Sequence, residues 1–173
     1  IKKYIPEDIY YDRNIYKNPN LRFKNLGHYN FLLDKNVLAQ ELVFDIDADN
    51  ISCQHEKSQQ ICDLCLQKAY NSTIKLNSTL HKKFNFKKTA IVYSGRGFHI
   101  HVLDKSAFLL TKNQREKITK KLSGFPIDPW VTNGNIELIS MPYTLNALVS
   151  RIATPVNITK NFKEENAIPK FLK

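Results

Sequence analysis

Glu41-Leu42-Val43-Phe44-Asp45-Ile46-Asp47-Ala48-Asp49-Asn50 decides how the rest of the chain is read. Its first half is a run of apolar and β-branched residues suited to a buried strand, and acids then fall at every second position. Side chains on a strand alternate between faces. Asp45, Asp47 and, by the same phase, Asp49 therefore point one way, while Phe44, Ile46 and Ala48 point into a core. Two carboxylates side by side on a rigid strand drive one pKa upward unless a cation sits between them. Carboxylate oxygens that leave positions open for water and phosphate suit Mg²⁺ or Mn²⁺ better than Zn²⁺. A strand end with solvated acids is the plainer alternative. It suits a single Asp better than an alternating pair enclosed by Leu-Val-Phe and Ile.

Downstream of the acids, Cys53-Gln54-His55 and Cys62-Asp63-Leu64-Cys65 use all three cysteines and one of the five histidines. A Cys-x-His pair and a Cys-x-x-Cys pair across a short polar loop supply the four ligands of a closed, structural Zn²⁺ site, with His55 the member most easily replaced. A redox Cys-x-x-Cys would not call for the third cysteine and its histidine. Leu66, Ala69, Thr73, Leu76 and Leu80 then recur at spacings of three and four, which predicts a scaffold helix from about Cys62 to Lys83. Thr89–Tyr93 reads as a second buried strand and runs into Ser94-Gly95-Arg96-Gly97-Phe98-His99-Ile100-His101-Val102. Glycines around an Arg let the backbone approach an anion that the guanidinium and the Ser94 hydroxyl can bind. His99 and His101 fall on the polar face of the strand that follows, and an ordinary hairpin is the alternative for the turn alone.

Leu109–Leu122 is expected as a Lys-rich helix ended by Gly124-Phe125-Pro126, with Asp128 beside Pro129 at a strand edge and a further alternating strand over Ile136–Pro142. Residues 1–33 carry no sustained period, and their tyrosines suit packing against the sheet better than contact with phosphate.

The length of 173 residues bounds the chain to one compact domain, 1–173, with the cysteine-rich knuckle at about 53–65 inserted in it. The formal charge of +10, together with eight Tyr, ten Phe and one Trp, suggests a phosphate-rich partner, although scattered Lys also makes an ordinary solvated surface. No stretch approaches a membrane span and no signal segment opens the chain, so a cytosolic or nuclear protein is expected.

Taken in order, ELVFDIDADN, the knuckle ending ICDLC, VYSGRGFHIHV, and IDPWVT followed by a strand and MPYTL resemble the small catalytic subunit of archaeal and eukaryotic DNA primase, over roughly Lys35 to Val156. The resemblance implies an α/β (α+β) primase-type catalytic domain: a mixed, mainly antiparallel sheet flanked by helices, with a zinc knuckle. It implies template-directed nucleotidyl transfer from nucleoside triphosphates on single-stranded DNA, and a primase large subunit or a helicase as partner. The compartment would be the cytoplasm and nucleoid of an archaeon or of a mobile element's host, or a eukaryotic nucleus. Asp45, Asp47 and Asp128 match the family's Mg²⁺- or Mn²⁺-binding acids. Ser94, Arg96 and His99 match residues that hold the triphosphate, Arg151 falls where a basic residue is common, and Cys53, His55, Cys62 and Cys65 match the Zn²⁺ knuckle. The chain departs from the pattern where the glycine turn is one residue shorter than SGxRG, where Ser140 replaces Lys or Arg, and where Asn146 replaces His. The segment between the HIHV strand and Asp128 is also too short for the family's helical insertion, as in a minimal catalytic core. A non-catalytic, zinc-stabilised nucleic-acid-binding module of the same fold is the rival expectation. A metal-dependent nuclease is a more distant one.

Overall fold

A computed structural model describes residues 8–20, 35–51, 62–158 and 162–172. Its centre is a four-stranded antiparallel sheet in the order β10-β5-β6-β4, built from β4 (Leu42–Asp47), β5 (Thr89–Tyr93), β6 (Gly97–Val102) and β10 (Thr154–Val156). Every strand pairing among the described residues is antiparallel, so the sheet is not mixed. β4 and β6 pair with Asp45 opposite His99, Asp47 opposite Gly97 and Val43 opposite His101. With a period of two, that register puts acids and imidazoles on one face and Leu42, Phe44, Ile46, Phe98, Ile100 and Val102, all fully buried, on the other.

The apolar face is covered by α1 (Asp63–Phe84), whose stripe Leu66, Ala69, Thr73, Leu76 and Leu80 is buried against it. The helix starts at Cys62 in extended backbone, carries Asp63 in its first turn and His81, Lys82 and Lys83 in its last, and stops at Asn85 in the left-handed conformation. Each charge has the sign its end of the helix dipole favours. Tyr70, Tyr93, Phe98 and Phe162 close one end of this core with ring centroids 4.9–5.8 Å apart.

The opposite face is roofed by the N-terminal strands β1 (Tyr10–Asp12) and β2 (Asn14–Tyr16). Their partners are β7 (Leu138–Ser140) for β1 and β3 (Val37–Gln40) for β2. A second small cluster forms there from Val43, Val131 and Ile139, with Tyr11 against it. A one-turn helix, α2 (Lys105–Phe108), precedes the Lys-rich helix expected over Leu109–Leu122, which is found as α3 (Lys112–Lys121). Thr111 starts α3 by accepting from the Gln114 N–H, while Gln114 Oε1 accepts from the Thr111 N–H, a reciprocal capping arrangement. Asp128 is not at a strand edge but caps a one-turn helix, α4 (Pro129–Thr132). β8 (Leu145–Asn146) and β9 (Arg151–Ile152) form a separate ribbon beside the glycine turn.

Candidate active site

The β4–β6 register brings the first acidic pair and the glycine turn to one end of the sheet. Gly97 lies opposite Asp47, and a Cβ there would sit 2.2 Å from the Ile46 carbonyl oxygen, so only glycine lets the two strands close at this point. The turn itself is a two-residue hairpin in which the Ser94 N–H donates to the Gly97 carbonyl at 3.0 Å and Gly95 takes φ +99°. Positive φ at the first central position is what such hairpins reserve for glycine. Ser94 is buried and its Oγ accepts from the N–H groups of Gly97 at 3.1 Å and Arg96 at 3.4 Å. The Asn146 side-chain amide donates to the Ser94 carbonyl at 3.0 Å and so clamps the turn from behind.

Asp45 is mostly buried, with a side chain 14 % exposed. Its Oδ1 has no hydrogen-bond partner among the described residues. Burial first, and then the charges of Asp47 and Asp128, hold its carboxyl well above the usual carboxylate range. Asp47 is also shifted up, by burial, with Arg96 opposing and Asp128 adding to the rise. The third acid arrives from α4. The Asp128 backbone N–H donates to the Asp45 carbonyl at 2.8 Å, along the edge of β4 that faces away from β6. Its Oδ1 accepts from the Trp130 N–H at 2.7 Å, which leaves Oδ2 for a ligand.

Among the described residues no group of three or more His, Cys, Asp and Glu side chains is gathered closely enough to enclose a metal ion. The acids are near enough to perturb one another's ionisation but stand apart. An orphaned, desolvated carboxylate oxygen on Asp45, beside a second carboxylate with its pKa raised, is the donor set a hard divalent cation fits. Asp49 does not continue the strand's phase. It sits in a 3₁₀ turn (Ala48–Asn50) and forms an ion pair with the guanidinium of Arg96.

His99 is buried with Nε2 3.5 Å from Asp45 Oδ1. Burial, with His101 and Arg13 adding to it, pushes its pKa down to about 3, so it meets Asp45 as a neutral imidazole. Behind it lies a network that the sequence did not announce. Glu41 receives the Tyr11 hydroxyl at 2.6 Å and lies 3.0 Å from His101 Nδ1. The buried guanidiniums of Arg13 and Arg115 both donate to the Glu41 carbonyl, at 3.0 and 3.2 Å. Arg13 also donates to the carbonyls of Val131 and Ile136, and Arg115 to those of Leu110 and Gln40. These bonds tie the roof, α3 and α4 to the entry of β4 and fix the strand that carries the acids. A Glu, an Arg and a Tyr spaced along different segments leave no local signal. The one hint was Arg115 in a helix otherwise rich in lysine, since a fork of donors serves several carbonyls at once.

Arg151, on β9, pairs with Glu164 at 2.6 Å and donates to the Val149 and Ser150 carbonyls. Of the knuckle, Cys53 and His55 lie outside the described residues. Cys62 caps α1 and Cys65 is buried in its first turn, three residues on and on the same face.

Residues 44–125 match a family model described as DNA primase small subunit. A DNA primase small subunit-like protein of Archaeoglobus fulgidus, itself described as uncharacterized, is 40% identical over 186 aligned positions, covering 99% of this chain and 66% of the relative. The DNA primase small subunit PriS of Thermococcus sibiricus is 36% identical over 126 positions, 71% of this chain and 33% of that protein. PriS of Thermococcus kodakarensis is 41% identical over 90 positions, 50% of this chain and 26% of that protein. The chain thus spans about two thirds of the first relative and a third or less of the PriS proteins.

Proposed function

This chain belongs to the DNA primase small-subunit family, and from that premise we propose that it is a metal-dependent nucleotidyltransferase that joins nucleoside triphosphates on a single-stranded DNA template. The observation that carries the reading is the register of β4 against β6. It sets Asp45 and Asp47 beside His99 and the Arg96 turn, with the unpartnered Oδ1 of Asp45 held in a site that disfavours its charge. Asp45, Asp47 and the free Oδ2 of Asp128 would hold Mg²⁺ or Mn²⁺, which supplies charge neutralisation for the attacking hydroxyl and the leaving pyrophosphate. Neutral His99 directs an N–H towards the acids or a phosphate without adding a proton donor strong enough to quench the carboxylates. Arg96 reaches the triphosphate by leaving Asp49. No side-chain nucleophile is required, because the primer's or first nucleotide's hydroxyl attacks directly.

Cys53, His55, Cys62 and Cys65 are proposed to hold a structural Zn²⁺ at the head of α1, where the helix N-terminus favours the thiolates of Cys62 and Cys65. A large subunit or helicase would complete the assembly in a replicating cell. The test is incubation with Mn²⁺ or Mg²⁺, labelled nucleotides and single-stranded template, with and without an annealed primer. Product in either arm supports the reading. The non-catalytic alternative draws on a specific feature: Arg96 and Arg151 are both engaged by carboxylates of the chain itself, Asp49 and Glu164. Template binding with no incorporation under any metal would favour it.

A further inference from the structure

We propose that Trp130 is a stacking platform for a base of the bound single strand, on the side of the acids opposite the triphosphate turn. This rests on the nucleotidyltransferase reading for the identity of the strand. Trp130 is the chain's one tryptophan and is 63% exposed. Its neighbours Val131 and Thr132 are buried, and α4 packs against β4. The Trp130 N–H donates to Asp128 Oδ1 at 2.7 Å, Pro129 sets the first helical position, and the Trp130 carbonyl accepts from Asn135 and Ile136 at 2.9 and 3.2 Å. The backbone under the indole is therefore fixed relative to a carboxylate of the site, while the ring stands in water. A rigid indole held out beside a carboxylate of the site offers its face to a flat partner.

The placement identifies what covers it. Asp128 meets the open edge of β4 through its bond to the Asp45 carbonyl, whereas the glycine turn leads into β6 on the other side of β4, where the Arg96 carbonyl accepts from the Ala48 N–H at 3.1 Å. The acids thus stand between a cationic turn and an exposed indole. A polynucleotide strand lying beside the acids presents, one sugar from its backbone, the π-face of a base. Base–aromatic stacking tolerates any sequence, as a template reader must. A strand base rather than that of the incoming nucleotide is favoured, because the triphosphate is anchored on the far side.

Because Trp130 is the chain's one tryptophan, emission excited at the red edge, where tyrosine does not absorb, follows the surroundings of this indole. Wild-type protein is titrated at low salt with a labelled oligo-dT, an abasic oligonucleotide of equal length, and dTTP, with label anisotropy following binding in parallel. Oligo-dT is expected to quench the emission, while the abasic strand binds without quenching and dTTP leaves it unchanged. Trp130→Ala should weaken oligo-dT binding about five- to hundredfold, the equivalent of one lost stack, with Trp130→Phe restoring most of it and both variants melting like wild type. Binding of oligo-dT without quenching, no binding at low salt, quenching by dTTP alone, or wild-type affinity in Trp130→Ala overturns the proposal. Quenching by oligo-dT in a protein that incorporates no nucleotide would leave the platform standing and remove only the enzymatic reading.

Discussion

Asp45→Asn should make the metal-free protein more stable while removing its activity. In the native state the Asp45 carboxyl is mostly buried, one oxygen has no partner among the described residues, and two further carboxylates press on it. A buried unsatisfied polar atom costs about 1–3 kcal/mol. The Asn amide is uncharged and offers N–H donors to the neighbouring acids, so most of that cost is relieved. For a chain of this size each kcal/mol moves Tm by about 2–4 °C, so a rise of about 2–12 °C is expected by calorimetry in EDTA at pH 7.5. The pH dependence carries its own sign. A carboxyl whose native pKa is raised keeps its proton to higher pH than the unfolded chain does, so it takes stability away as pH climbs from about 4 through the raised value. The gap between variant and wild type should therefore be absent near pH 4 and widest at neutral pH. Nucleotide incorporation should fall by about a hundredfold or more, as for loss of one electrostatic anchor of a transition state. A variant that melts at or below wild type at pH 7.5 in EDTA, or one that turns over normally, would refute the reasoning.

Asp49→Asn frees Arg96 from a solvent-exposed ion pair worth up to about 1 kcal/mol, so triphosphate affinity should rise by about fivefold or less in a filter or calorimetric assay. Unchanged or weaker binding would show that the pair does not compete with nucleotide. Gly97→Ala places a methyl group against the Ile46 carbonyl and should cost about 1–3 kcal/mol or more in a urea melt, together with activity, because β4 must move away from β6 at Asp47. The neutral, buried His99 contributes stability that is present above pH 6.5 and lost as pH falls towards about 3, so His99→Gln should flatten that limb of the stability curve; an unchanged acid limb speaks against a buried neutral imidazole. One Zn²⁺ per chain is expected by metal analysis, and a chelator should lower Tm. A zinc-free protein with the same Tm in chelator would remove the knuckle from the account.

Much of the central sheet was legible in the sequence because β4 and β6 alternate with a strict period of two, which groups Asp45 with Asp47 and His99 with His101, while the register that brings the two pairs to one face is a property of the fold. The α1 stripe was legible for the same reason at a period near 3.6. The phase argument failed at Asp49, where the strand has already ended in a 3₁₀ turn and the side chain turns to Arg96. It failed again at Asp128, where Pro129 suggested a strand edge but an Asp before a Pro at the first helical position is equally a helix start. The helix expected over Leu109–Leu122 forms, and the capping box at Thr111 and Gln114 sets its start three residues later than the Lys-rich run suggests. The network around Glu41 joins residues 28 to 123 positions apart, and no pattern within one segment encodes such pairings. The exposure of Trp130 is likewise a property of how α4 docks and not of its sequence, in which a tryptophan between Pro and Val reads as core.

Whether Asp45 and Asp47 form a divalent-metal centre is tested most directly by titrating Mn²⁺ into the protein and following free Mn²⁺ by electron paramagnetic resonance, in the presence of a nucleoside triphosphate and single-stranded template. Saturable Mn²⁺ binding is expected, and it should disappear in the Asp45→Asn/Asp47→Asn double variant while the variant stays folded and still binds template. Equal Mn²⁺ binding by wild type and double variant would contradict it.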